Sequence, residues 1–244
     1  MALEQAQIEE AAAFLLHLRV QRQSTSGLPF EIAPKSLDDA YAIQDQLLDA
    51  GGWDIGVLKV GCTSEIAQQT LEIPHPIGGR VTADGVFESG QSISASFFAA
   101  PPRIECEFAL KVNKAGTIAT IAPAMELIDS RVGGTGIAVV ADNSAAAAVV
   151  LGEPLAIEDV DLDDVAVELR THGEVIATGS AAAVLGGPAA SVDWVLEHEK
   201  SRGRDPQTIW VITGTCTGLT PTEVGNTYTA DFGALGDVSF TLAS

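Results

Sequence analysis

From Trp53 onward the chain is a succession of short runs of β-type composition, each broken by glycine or proline, so strands dominate this part. The runs cover residues 56–60, 104–112, 118–121, 124–128, 165–169, 174–178, 208–213, 228–232 and 238–242. Two segments read as helical interruptions: the alanine-rich 143–151, and 190–201 with Val192, Val195 and Leu196. The 24 glycines and 11 prolines supply the turns that so many short elements need. Before Trp53 the pattern is different. Over 3–18 the residues Ile8, Ala11, Ala12, Phe14, Leu15 and Leu18 recur at helical spacing, and a loop with Gly27 and Pro29 follows. A second helix starts at Ser36, a side chain suited to capping, and stops at Gly51 and Gly52. The expectation is an α+β chain, with a helical N-terminal segment (1–52) and a strand-rich core (53–244) forming one integrated domain.

Charge narrows the partners. Asp plus Glu number 33 against 13 Lys plus Arg, a formal net charge of -20. Nucleic acids and anionic membranes both require cationic surface, so neither is an expected partner. Hydrophobic residues make up 46%, too many for a disordered acidic chain. Cys62, Cys106 and Cys216 are far apart and odd in number, which suits a reducing compartment. The first residues lack the basic start and apolar run of a signal peptide, and no apolar stretch reaches membrane-spanning length. The expected location is the cytoplasm.

The stretch 101–110, Pro-Pro-Arg-Ile-Glu-Cys-Glu-Phe-Ala-Leu, carries the main chemical signal. On a strand Glu105 and Glu107 share one face while Ile104, Cys106 and Phe108 share the other. Spacing alone favours an ordinary solvated strand face. Glu126 shifts the balance, because it sits in the apolar run Ala124-Met125-Glu126-Leu127-Ile128, where a carboxylate without a partner or ligand is costly. Clustered oxygen ligands suit a hard cation such as Mg2+. Asp129 reads as a partner of Arg131 or a backbone-bonding residue. Lys59, between Leu58 and Val60, is either an edge-strand lysine or a cation at the mouth of a pocket, and the residues alone leave both open. His17 and His198 fall on helices, and His172 lies in a hairpin turn. His75 stands between two prolines that already explain a rigid loop.

Taken in order, several motifs resemble the 2-keto-4-pentenoate hydratase and 4-oxalocrotonate decarboxylase group of the fumarylacetoacetate hydrolase superfamily. They are Ala40-Tyr41-Ala42-Ile43-Gln44, Lys59-Val60-Gly61-Cys62-Thr63-Ser64, Pro102-Arg103-Ile104-Glu105-Cys106-Glu107, Glu126-Leu127-Ile128-Asp129-Ser130-Arg131, Ala141-Asp142-Asn143-Ser144, the run from Gly179 and Ser180 to Pro188, and Thr213-Gly214-Thr215. The resemblance implies a mixed β-roll or sandwich core of that superfamily's type and a homo-oligomer, with a complex of it with a related enzyme of the same pathway left open. It implies Mg2+ or Mn2+ held by Glu105, Glu107 and Glu126, Lys59 as the catalytic and substrate-binding cation, and Ser64, His75 and Ser180 as further substrate contacts. Asp142 and Asn143 take supporting roles. The small-molecule substrate it implies is a 2-hydroxy-2,4-dienoate or 2-keto acid in aromatic catabolism, with water added through a metal-stabilised enolate to give a 4-hydroxy-2-keto acid. Around Pro76 the chain has His75 and Ile77 where acids are common in that group, and the hairpin between Glu107 and Glu126 is short. The alternatives are a 2-keto acid decarboxylase on the same site, an acylpyruvate carbon-carbon hydrolase, and a catalytically inactive binding or assembly subunit.

Overall fold

The computed structural model describes residues 2–134, 136–160, 162, 165–184, 186–205 and 208–244. Helix α1 (Gln5–Gln21) opens with a reciprocal cap between Glu4 and Gln7. Helix α2 (Leu37–Gly51) starts where Ser36 Oγ accepts the Asp39 amide at 3.1 Å and ends at Gly52, whose φ of 62° is left-handed. The two helices bury Ala11, Leu15, Ile43 and Leu47 against each other and against helix α4 (Gly136–Ala141). Helix α3 (Glu65–Leu71) is a short turn capped by Ser64.

In chain order the strands are β1 (Ile55–Gly61), β2 (Ile77–Thr82), β3 (Val86–Glu88), β4 (Ser92–Ser94), β5 (Arg103–Val112), β6 (Ile118–Ile128) and β7 (Ala146–Leu151). They continue with β8 (Leu155–Ala156), β9 (Ala166–Thr171), β10 (Glu174–Ser180), β11 (Ile209–Ile212), β12 (Thr220–Pro221), β13 (Thr227–Asp231) and β14 (Asp237–Ala243). The larger sheet runs β2-β1-β11-β5-β6-β7-β3, with β12 beside β5 and β8 beside β6. The smaller runs β10-β9-β13-β14-β4. Most pairs are antiparallel; β1 with β11, β3 with β7 and β4 with β14 are parallel. Helix α5 (Pro188–Ser201) covers the larger sheet through Val192 and Val195.

Alternation along the strands gives the larger sheet two different faces. One, with Leu58, Ile104, Cys106, Phe108 and Leu110, packs against Leu169, Tyr228, Val238 and Phe240 of the smaller sheet. The other is lined by Val57, Val81, Ala109, Ala122, Ala124, Ala146, Val149 and Ile212. Its many alanines let the sheet curl, and β2 at one edge packs against β7 near the other. The result is a roll with a narrow, small-residue interior.

The structure corrects two readings. The alanine-rich 143–151 is not a helix: Asn143, Ser144 and Ala145 take left-handed φ of 54°, 52° and 58°, and Ala146–Leu151 is a strand between β6 and β3. Sheet pairing and burial outweigh alanine's helix propensity there. The runs 118–121 and 124–128 are one strand that passes through Pro123. The Pro123 carbonyl accepts from Gly152 where the chain passes between β7 and β8, so the missing proline N–H falls on that gap in the ladder. Strand β2, buried throughout, was not among the expected runs because its Gly78-Gly79 pair hides any alternation. No helix among the described residues is long and apolar enough to cross a membrane.

Candidate metal centre

Antiparallel pairing of β5 with β6 sets Glu105 directly opposite Glu126, and Glu107 follows two residues along the same face. Because Glu107 alternates with Ala109, and Glu126 with Ala124, the carboxylates point into the roll. Each contributes an oxygen to a cluster within 4.8 Å. Glu107 and Glu126 are fully buried, and Glu105 is partly exposed.

Lys59 faces the same interior from β1. That strand lies between β2 and β11, so it is not an edge strand, and Lys59 is buried. Its Nζ is 2.9 Å from Glu126 Oε1 and donates to the Ser144 carbonyl at 3.0 Å. The left-handed turn at 143–145 presents that carbonyl. Asn143 locks the turn to β2, accepting from the Arg80 amide at 2.9 Å and donating to the Arg80 carbonyl at 2.7 Å. Ser144 Oγ donates to the Gly78 carbonyl at 2.7 Å, and Gln44 donates to the same carbonyl at 3.1 Å. Three buried residues in this sparsely populated conformation need such over-determination. A Cβ at Gly79 would fall 2.7 Å from the Asn143 carbonyl oxygen, so only glycine lets β2 approach. Before the turn, Asp142 holds Arg131, with Oδ1 2.8 Å from Nε.

Gly214, after β11, donates its amide to Glu107 Oε2 at 2.7 Å. Among the described residues, Glu107 Oε1 and Glu126 Oε2 are buried without a hydrogen-bond partner, and Glu126 Oε1 has only the ion pair with Lys59. Native structures rarely leave buried carboxylate oxygens so exposed to one another. Burial first, then the neighbouring Glu126 charge, raises the Glu105 carboxyl to about 7. Burial and like charge also raise Glu107 well above the ordinary range; Glu126 is raised by burial against the opposing pull of Lys59. For Lys59, burial pulls down, yet the carboxylates of Glu126, Glu105 and Glu107 outweigh it and hold the ammonium charged. Three carboxylates around one ammonium carry two excess negative charges when ionised. Orphaned oxygens, oxygen-only donors and that excess fit a divalent hard cation.

The structure thus brings Lys59, Glu105, Glu107 and Glu126 together. Ser64 caps α3, accepting from the Ala67 amide at 3.2 Å. Ser180 ends β10 beside Gly179, where a Cβ would fall 1.9 Å from the Cys216 carbonyl oxygen. Cys216 in turn bonds the Cys106 carbonyl on β5. His75 is exposed, with Nδ1 2.8 Å from the Pro76 carbonyl oxygen, and no hydrogen bond among the described residues ties it to the carboxylates. Leu185 of the motif after Ser180 lies outside the described residues. Asp129 accepts the Ala99 amide at 3.0 Å and stands 3.7 Å from Arg131. The three cysteines are free and buried, and burial pushes the Cys62 and Cys106 thiols up to about 11 and about 12. The Gly214 amide is a backbone donor, which no side-chain pattern reveals. Its glycine, in Thr213-Gly214-Thr215, was the available signal.

No family model matches the chain. It is 30% identical over 222 residues to a 2-keto-4-pentenoate hydratase of Burkholderia vietnamiensis, covering 83% of this chain and 84% of the relative. A 2-keto-4-pentenoate hydratase of Paraburkholderia phymatum is 29% identical over 251 residues, 95% of each chain. A solved 4-oxalocrotonate decarboxylase from Pseudomonas putida G7, complexed with magnesium and adipate, superposes with a TM-score of 0.89 at 26% identity over 98% of each chain. Relatives and site together define an enzyme of the lyase type. Within that class the chain belongs to the 2-keto-4-pentenoate hydratase and 4-oxalocrotonate decarboxylase group of the fumarylacetoacetate hydrolase superfamily.

Proposed function

We propose that the protein is a hydratase that adds water to 2-hydroxy-2,4-dienoates of the 2-keto-4-pentenoate type, giving 4-hydroxy-2-keto acids, with Mg2+ or Mn2+ held by Glu105, Glu107 and Glu126. The observation that carries the reading is the buried cluster of three carboxylates within 4.8 Å, paired with a single lysine. When bound, the ion supplies Lewis acidity toward the oxygens of a 2-keto acid. Lys59 spends two of its ammonium protons on Ser144 and Glu126, and the third serves the substrate carboxylate. The Gly214 amide holds Glu107 in one orientation, leaving its second oxygen to ligate. The alanine-lined interior limits bulk water near the reacting carbons. Ser64 keeps a hydroxyl proton free of its cap and, with Ser180 and His75, completes the proposed substrate contacts. Three free, buried thiols suit a reducing, cytoplasmic setting.

A second reading, decarboxylation of a 2-keto dioate on the same site, is favoured by the similarity along 98% of each chain to a decarboxylase solved with the dicarboxylate adipate. The Mg2+-loaded protein is incubated with 2-hydroxypenta-2,4-dienoate and, separately, with a 2-oxohexenedioate. Loss of dienol absorbance with a 4-hydroxy-2-keto product supports the hydratase. CO2 release from the dioate without hydration of the dienoate replaces it by the decarboxylase. Turnover that ignores a chelator overturns both.

A further inference from the structure

A cavity of about 190 Å3 lies apart from the carboxylate cluster and is lined by Arg19, Arg22 and Arg131 together with Trp53, Asp84 and Asp129. Three of the chain's eight arginines therefore face one void in a protein of net charge -20. Arg19 is the unusual member. Only 7% exposed, it stacks on Trp53 at 4.7 Å and makes two long hydrogen bonds, to Thr82 Oγ1 at 3.3 Å and the Ala146 carbonyl at 3.5 Å. Among the described residues no carboxylate stands within ion-pair distance of it, although a buried guanidinium ordinarily has a paired anion. Burial, and then the charge of Arg131, lower Arg19 to about 10 against the opposing pull of Asp142 and Asp84.

The other two arginines are aimed at the same space. Arg131 commits Nε and Nη2 to Asp142 and nearby carbonyls, while Nη1, among the described residues, meets Asp129 alone, at 3.7 Å, beyond a hydrogen bond. Arg22 takes a left-handed φ of 53°, folds back so that Nη1 bonds the Arg19 carbonyl at 3.1 Å, and lies 5.0 Å from the Phe97 ring centroid. Bolting α1 to β2 and β7 accounts for the Thr82 and Ala146 contacts of Arg19. It does not account for the convergence of Arg22 and Arg131 on the same space. Of the two acids in the lining, Asp84 is exposed at the rim, and Asp129 Oδ2 accepts the Ala99 amide and stands 3.7 Å from Arg131, so three guanidiniums face two carboxylates.

We propose that this cavity binds a small oxyanion of the phosphate type, gripped by Arg19 and Arg131 inside and by Arg22 at the mouth. Planar guanidinium forks match the oxygens of such an anion, and partial burial strengthens each charge-assisted bond. The proposal does not depend on the reaction assigned to the carboxylate cluster.

Calorimetric titration of inorganic phosphate into the Mg2+-loaded full chain at low ionic strength tests it. One phosphate per chain is expected, with affinity reduced on the order of tenfold in Arg22→Gln, the loss of about one charge-assisted hydrogen bond. Arg22 is exposed, so this variant retains the fold, as its thermal midpoint will show. Arg19→Lys, which keeps the charge but loses the fork, is the second variant and is expected to weaken binding as well. Absence of phosphate binding, or equal affinity in the wild type and both folded variants, overturns the proposal.

Discussion

Lys59 Nζ stands 2.9 Å from Glu126 Oε1, and both side chains are buried in the roll with the Ser144 carbonyl 3.0 Å from the same ammonium. The lysine is the only cation the structure sets against three clustered carboxylates among the described residues. Lys59→Met removes it and leaves the acids to repel or protonate. Breaking a buried pair costs about 3–5 kcal/mol, so the thermal midpoint without metal will fall clearly below the wild type's. The same variant will lose at least about a hundredfold in kcat/KM with Mg2+ present, since it lacks the proposed contact to the substrate carboxylate. Differential scanning calorimetry and steady-state kinetics read the two effects separately.

The acids also set a pH dependence. Burial and neighbouring charge raise Glu105 from 4.5 to about 7, and raise Glu107 and Glu126. A carboxyl whose folded pKa is raised contributes stability below its unfolded value and loses it as pH climbs through the folded one. The metal-free protein will therefore lose stability between about pH 4.5 and 7. A cation needs the ionised form, so the rise in thermal midpoint on adding Mg2+ will grow from pH 5.5 to pH 8. A midpoint rise equal at both pH values would contradict this.

Gly214→Ala strikes the support of Glu107. At φ 94° a side chain is strained, and the new Cβ would sit 1.9 Å from Thr63 Oγ1. Movement of the loop shifts the amide that fixes Glu107 Oε2. Mg2+ affinity will fall about tenfold or more, with stability reduced by more than about 1 kcal/mol. Titration calorimetry and thermal melts give both numbers.

Asn143→Ala removes two hydrogen bonds to Arg80 and the residue type best suited to a left-handed turn. A loss of about 1–3 kcal/mol in stability is expected from the unpaired Arg80 groups. Activity will fall too, because the Ser144 carbonyl no longer fixes Lys59. Asn143→Asp, which keeps an acceptor for the Arg80 amide, will recover part of the stability.

Much of this centre was legible in the sequence for a simple reason. Strand alternation alone puts Glu105 and Glu107 on one face, and the apolar run around Glu126 marks it as a buried acid. The pairing of Glu105 with Glu126, and the place of Lys59 in a central strand, come from sheet order, which local pattern does not encode. The stretch 143–151 shows the limit from the other side. Alanine there fits a tight interior, and the left-handed turn that starts it is imposed by contacts to Gly78 and Arg80, over sixty residues away.

Calorimetric titration of Mg2+ into the metal-free chain and its Glu126→Ala variant reads whether Glu105, Glu107 and Glu126 hold a divalent cation. The wild type will bind one ion per chain, and the folded variant will show no binding over the same range. A wild type that binds no ion, or a variant that binds it as tightly, would rule out a metal centre at these carboxylates.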